Sequence, residues 1–206
     1  MKKYLILPPI LMLATMGAFA VDIAAGMVLN TVNASDSGSS SYTEGSYWTS
    51  RTVAYDYTIK DSGANFGFFG SVGWKYLDIT TAFFWGSATR DVNIDGDVSD
   101  AKAADIEKEH EDGKKTSLSA LQLGFWFKIP ITISRSFRLY PMFGTDMNLG
   151  VNYGFGIFPG GGLGADIMLF KNMFLRATAL GGWYGGFTND LYGFGLSFKL
   201  GAGWLL

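Results

Sequence analysis

Tyr192-Gly193-Phe194-Gly195-Leu196-Ser197-Phe198-Lys199-Leu200-Gly201-Ala202-Gly203-Trp204-Leu205-Leu206 is the stretch that decides the fold. Every second residue is apolar: Tyr192, Phe194, Leu196, Phe198, Leu200, Ala202, Trp204 and Leu206. Between them lie Gly193, Gly195, Ser197, Lys199, Gly201 and Gly203. A period of two sends successive side chains to opposite faces of a β-strand, here one apolar face and one small or polar face.

Upstream the pattern returns seven times: Val21 to Asn30, Asn65 to Trp74, Leu77 to Gly86, Leu121 to Lys128, Phe137 to Leu149, Gly162 to Leu169 and Phe174 to Tyr184. A tilted transmembrane strand needs about 9–11 residues. An even number of antiparallel strands can close on itself, which leaves no unpaired backbone edge in lipid. A soluble sandwich would turn a charge-rich face to water. Here the polar face is mostly Gly, Ser, Thr and Asn, with about one charge per strand. Small residues suit the crowded interior of a narrow barrel. Trp74 and Trp204 fall near strand ends on one side, and Trp85 and Trp183 toward the other, as two interfacial girdles would. The expected fold is all-β, an eight-stranded antiparallel transmembrane β-barrel. Residues 47–60 alternate as well, which leaves a raised hairpin or a ten-stranded barrel as alternatives. Eight is favoured because Ser35 to Ser41 and Asp61-Ser62-Gly63 read as loop.

The remaining composition narrows the function classes. The chain has 206 residues, no cysteine, one histidine and 28 glycines. Without cysteine there is no disulfide framework and no cysteine nucleophile. One histidine cannot supply a two-histidine metal centre. A net charge of −2 gives no basic face for nucleic acid. Lys2 and Lys3, the apolar run from Tyr4 to Met16 and Ala18-Phe19-Ala20 read as a signal peptide over residues 1–20, cleaved before Val21. The barrel is then 21–206.

Connections alternate in length. Lys75-Tyr76, Ser134-Arg135-Ser136 and Lys171-Asn172 are short, whereas 32–63 and 89–116 are long, and 150–160 and 185–190 lie on the long side. Short turns at one end and long loops at the other is the layout of outer-membrane barrels. On these features the chain resembles the small bacterial outer-membrane β-barrel proteins of the OmpW, OmpX and OmpA transmembrane type, with OmpW favoured. It ends in Leu206, where those proteins usually end in Phe. The resemblance implies a bacterial outer-membrane location, both termini periplasmic and the long loops extracellular. It also implies outer-membrane lipid and the barrel-assembly machinery as partners.

The inward face collects four acids, Asp22, Asp78, Asp146 and Asp166, and four bases, Lys128, Arg138, Arg176 and Lys199. Buried charges must pair, so this set reads as a salt-bridged plug. Phe69, Phe84, Trp126, Phe174 and Leu180 also fall on inward positions. An apolar patch inside a barrel suits small hydrophobic molecules, and the OmpW resemblance implies their passage. The expected function is passive passage of small hydrophobic solutes through a narrow or laterally opening lumen. The rival is a plugged barrel whose surface loops bind host or matrix ligands.

Three surface features remain. Asp91, Asn93, Asp95 and Asp97 match the first half of a calcium loop, D-x-N-x-D-G, but its twelfth position is Lys102 rather than Glu. Loop Ca²⁺ is thus the one cofactor candidate. Ala101 to Glu111 is rich in helix formers. In the first loop Tyr42, Tyr47, Trp48, Tyr55 and Tyr57 are candidates for recognition, since such rings give contact area at low entropy cost. His110 lies in a charged run far from the strand ends and reads as a solvated side chain, so no enzyme is expected.

Overall fold

The computed structural model describes residues 21–45, 50–150, 154–186 and 192–206. The expected signal peptide, along with Tyr47 and Trp48, lies outside them.

Alternating residues build long strands. They are β1 (Asp22–Glu44), β2 (Arg51–Gly73), β3 (Leu77–Gly96), β4 (Lys115–Lys128), a two-residue β5 (Ile131–Thr132), β6 (Phe137–Gly150), β7 (Gly154–Met168), β8 (Met173–Gly186) and β9 (Tyr192–Leu205). One helix, α1 (Asp100–Glu109), sits between β3 and β4. Hydrogen bonding runs β4-β3-β2-β1-β9-β8-β7-β6, and β6 returns to β4. Eight antiparallel strands therefore close a ring, while β5 pairs only with the edge of β6 near the turn. The first and last strands meet at the seam, from Asp22 opposite Leu205 to Ser35 opposite Tyr192.

The two faces sort as the alternation requires. Outside, Met27, Phe66, Phe68, Phe83, Leu163, Phe198 and Leu200 are exposed, a belt far larger than a soluble monomer leaves open. Trp85 anchors an outer aromatic cluster, with ring centroids 4.8 Å from Phe66, 5.9 Å from Phe68 and 5.8 Å from Phe83. Trp183 and Trp204 are also exposed. Inside lie side chains from every long strand, with no room for a wide pore. Some glycines exist because the interior is full. A Cβ at Gly164 would lie 2.0 Å from the Tyr140 ring, and one at Gly203 would lie 2.2 Å from Phe174. Among the described residues no helix is long and apolar enough to cross a membrane.

Two stretches read as loops are ordered. Residues 32–63 are mostly strand: β1 and β2 pair without a break from Asp22–Gly73 to Glu44–Arg51, so the hairpin rises well beyond the belt. Ser35 to Ser41 and Asp61-Ser62-Gly63 are inside that ladder. One face of the raised part stays exposed and the other, with Tyr42, Val53, Tyr55 and Tyr57, is covered by α1, while the backbone pairing runs on through the polar residues between. The alternation at 51–60 continues β2 and adds no strands to the ring, which removes the ten-stranded alternative. Residues 89–116 hold the end of β3, then α1, then the start of β4. Most of 150–160, expected as a connection, is the start of β7, with Gly160 opposite Gly182 and Gly161 opposite Gly181.

The helix is fastened to this extension. Lys102 and Ala103 N–H groups donate to the Ser99 carbonyl and begin it. Ile106, 1% exposed, is its buried anchor. Beyond it, Glu111 and Gly113 take positive φ angles, 61° and 69°, and turn the chain back. The Gly113 N–H then bonds the Arg90 carbonyl at 2.9 Å, and Arg90 N–H bonds the Lys114 carbonyl at 3.0 Å.

Candidate functional site

The lumen divides into a closed floor at the short-turn end and a cavity above it. Arg176, from β8, is the centre of the floor. Its Nε and Nη2 donate to both oxygens of Asp166 at 2.8 and 3.0 Å, the two-pronged geometry that suits guanidinium and carboxylate. Its Nη1 donates to Asp22 at 2.9 Å and lies 3.5 Å from Asp78. Lys128 Nζ donates to Asp78 at 2.6 Å and to Asp22 at 3.3 Å. The Tyr140 hydroxyl donates to Asp166 at 2.8 Å. The Phe174 ring lies 4.8 Å from the Arg176 guanidinium carbon, close enough for cation–π attraction. Three acids and two bases from five strands, with Tyr140 from a sixth, thus tie the barrel across its width.

A second layer sits higher. Trp126 Nε1 donates to Asp146 at 2.7 Å, and Lys199 Nζ lies 3.9 Å from the other Asp146 oxygen. Lys199 also donates to Thr80 at 3.4 Å. Seven of the eight expected lumen charges are therefore buried within ionic contacts. Arg138 departs from that expectation. It is half-buried at the floor's outer rim, because β6 begins only at Phe137. It stands opposite Asp166 on β7, but the Asp166 carboxylate is held by Arg176 from the other side. The five expected apolar residues, Phe69, Phe84, Trp126, Phe174 and Leu180, are all inside and at most 5% exposed.

Above these layers is a cavity of about 150 Å³. Its walls include Val32, Phe84, Ala88, Leu118 and Phe158, and its polar lining includes Asn30, Asn65, Gln122, Asn148 and Ser197. Asp61 and Arg90 stand among its lining residues, joined by two hydrogen bonds of 2.9 and 3.0 Å. Thr31 and Leu196 line it too, where β1 meets β9, and the Leu196 N–H donates to the Thr31 hydroxyl at 3.2 Å. Sequence reasoning missed the amide and hydroxyl residues. They lie on the inward parity, so the alternation places them in the lumen, but it does not mark which of them line a cavity.

The surface candidates separate. Tyr42 and Tyr55 have ring centroids 6.1 Å apart, and Tyr55 and Tyr57 are 6.5 Å apart. Tyr57 stacks on His110 at 4.5 Å, and Lys102 sits 5.5 Å over Tyr42. These rings bind the raised hairpin to α1. Asp91, Asn93 and Asp95 are on β3, all exposed on its outer side. A strand rises about 3.3 Å per residue, so alternate side chains are strung out rather than wrapped around one point. Asp97 follows the strand and pairs with Arg51. Among the described residues no three acidic or histidine side chains gather as metal ligands.

A closed antiparallel ring with an apolar outside and a packed polar inside defines a small transmembrane β-barrel of the outer-membrane type. No protein family and no curated relative matches the sequence. In structure the chain is similar to the outer membrane protein OprG from Pseudomonas aeruginosa, at 15% identity over 91% of this chain and 97% of that one, with a TM-score of 0.46. It is similar at 9% identity to the translocator domain of autotransporter NalP from Neisseria meningitidis, over 95% of each chain, with a TM-score of 0.30. The outer membrane protease OmpT from Escherichia coli gives 7% identity, 91% and 96% coverage, and a TM-score of 0.31. The ring and the belt define the class, not these likenesses.

Proposed function

We propose that the protein lies in the bacterial outer membrane and admits small, mainly apolar solutes into the upper lumen, releasing them through the barrel wall. In this reading the short turns and both termini face the periplasm, and the raised hairpin and α1 face outward. The observation that carries it is the cavity of about 150 Å³ above a floor closed by ion pairs. Below the cavity lie the Trp126–Asp146–Lys199 layer and, beneath it, Arg176, Lys128 and their carboxylates. Sideways a solute meets Thr31, Gly195 and Leu196, where one wall residue has no side chain. Passage to the side avoids the five linked charges and asks for a parting of the β1–β9 pairing beside Thr31 and Leu196. Outer-membrane lipid, the solute and the barrel-insertion machinery are the partners this reading requires.

Display of loops for recognition has less support, because Tyr42, Tyr55 and Tyr57 are engaged with each other and with α1. Nor do we assign catalysis: His110 is stacked on Tyr57 in the raised region.

The test uses the purified protein in vesicles whose outer leaflet carries lipopolysaccharide. Uptake of small apolar solutes above protein-free vesicles, with no ion conductance in planar bilayers, is the expected result. Uptake equal to that of protein-free vesicles overturns the reading, and steady ion currents replace it with an axial channel.

A further inference from the structure

Asn65, Asn30 and Ser197 form one row across three adjacent strands, since Asn30 stands opposite Asn65 on β2 and opposite Ser197 on β9. Gln122 reaches the same cavity from β4. The four are only 1%, 7%, 3% and 4% exposed, in the order Asn65, Asn30, Ser197, Gln122. Even so, Asn30 Oδ1, both polar atoms of the Asn65 amide, Gln122 Oε1 and Ser197 Oγ have no hydrogen-bond partner among the described residues. Buried polar side chains are nearly always satisfied, so each exception asks for a cause. Five of the orphaned atoms belong to residues lining one cavity, whose apolar lining includes Val32, Phe84, Ala88, Leu118 and Phe158. The charged residues lining it, Asp61 and Arg90, are already bonded to each other. A charged ligand would find no counter-ion there and would be excluded by the loss of its hydration.

We propose that the upper lumen is a binding site for small neutral carboxamides, with the amide group held by Asn30, Asn65, Gln122 and Ser197 and the apolar part against Phe84 and Leu118. This rests on the solute-admitting reading above and names its solute class. The volume is comparable to cavities that hold a single benzene ring. A primary carboxamide has two N–H donors and one carbonyl acceptor. The donors meet the side-chain oxygens of Asn30, Asn65 and Gln122. The carbonyl accepts from the Asn65 amide nitrogen or the Ser197 hydroxyl.

The experiment titrates the full protein in detergent micelles with benzamide, and separately with benzoate and toluene, while methyl NMR signals of Leu118 and Val32 are followed. Saturable benzamide shifts are expected, with toluene about tenfold weaker and benzoate silent, a ratio of roughly one well-made buried hydrogen bond. Asn65→Leu and Gln122→Leu should each weaken benzamide about tenfold and leave toluene unchanged or improved. Ser197→Ala is the milder variant if either leucine impairs folding, which heat-dependent gel mobility reports. Equal affinity for benzamide and toluene, or variants that leave benzamide affinity unaltered, overturns the site and means that these groups hold water only. Vesicle uptake separates the two readings. Saturable benzamide binding without uptake removes passage and keeps the site, whereas uptake of apolar solutes with no benzamide preference does the reverse.

Discussion

At the scale of single residues, the floor of the lumen depends on Arg176. It touches three carboxylates, and removing it leaves Asp166 and Asp22 without that cation in a buried setting. Losing one partner from a buried ionic group costs about 3–5 kcal/mol. Arg176→Ala should therefore lower the temperature of the heat-dependent gel shift and open small ion currents in planar bilayers. A variant that stays silent and equally heat-resistant would show that Lys128 and Tyr140 close the floor alone. The members of this network were legible in the sequence, because period two assigns each charge to a face. Their pairing was not. Asp166 lies between Arg138 and Arg176 in the ladder, and only the strand register and the depth of each side chain decide that Arg176 takes it. The orphaned amides were hidden for the same reason. Asn30, Asn65 and Ser197 are 35 and 132 residues apart along the chain, and nothing but register makes them neighbours.

At the scale of elements, the raised β1–β2 hairpin and α1 form a cap on the long-loop end. The helix was legible from its helix-forming residues, and its bounds, Asp100–Glu109, fall close to the expected Ala101 to Glu111. The hairpin reads as loop in the sequence because its apolar alternation fades over residues 35–41, while the backbone pairing runs on without it. The cap hangs on one apolar anchor. Ile106→Asp would place a charge at a fully buried position and should free α1. Limited proteolysis is then expected to cut within residues 97–114 much faster than in the native protein, while the heat-dependent gel shift of the barrel is kept. Cleavage at an unchanged rate would show that the Asp112 contact to the Val92 N–H and the Gly113–Arg90 bond suffice to hold it.

At the scale of the whole molecule, the eight-strand count, the direction of alternation and the placement of short turns came from the sequence. Ring closure itself did not, since it depends on β4 meeting β6 and β1 meeting β9 rather than on any local pattern. The second of these junctions has a consequence for how the chain can be made. Leu206 N–H bonds the Val21 carbonyl at 2.9 Å, so residues 21 and 206 lie side by side at the short-turn end. The finished sheet is a circle, and β1 and β9, which the sequence places farthest apart, are neighbours in it. A circular permutant, with residue 206 joined to residue 21 by a short linker and new ends at Lys171 and Asn172, should fold to a barrel of the same heat resistance. Failure of that chain would mean that the order of strand arrival matters. In the natural order, the strand made first must wait with an open edge until the last one is synthesised.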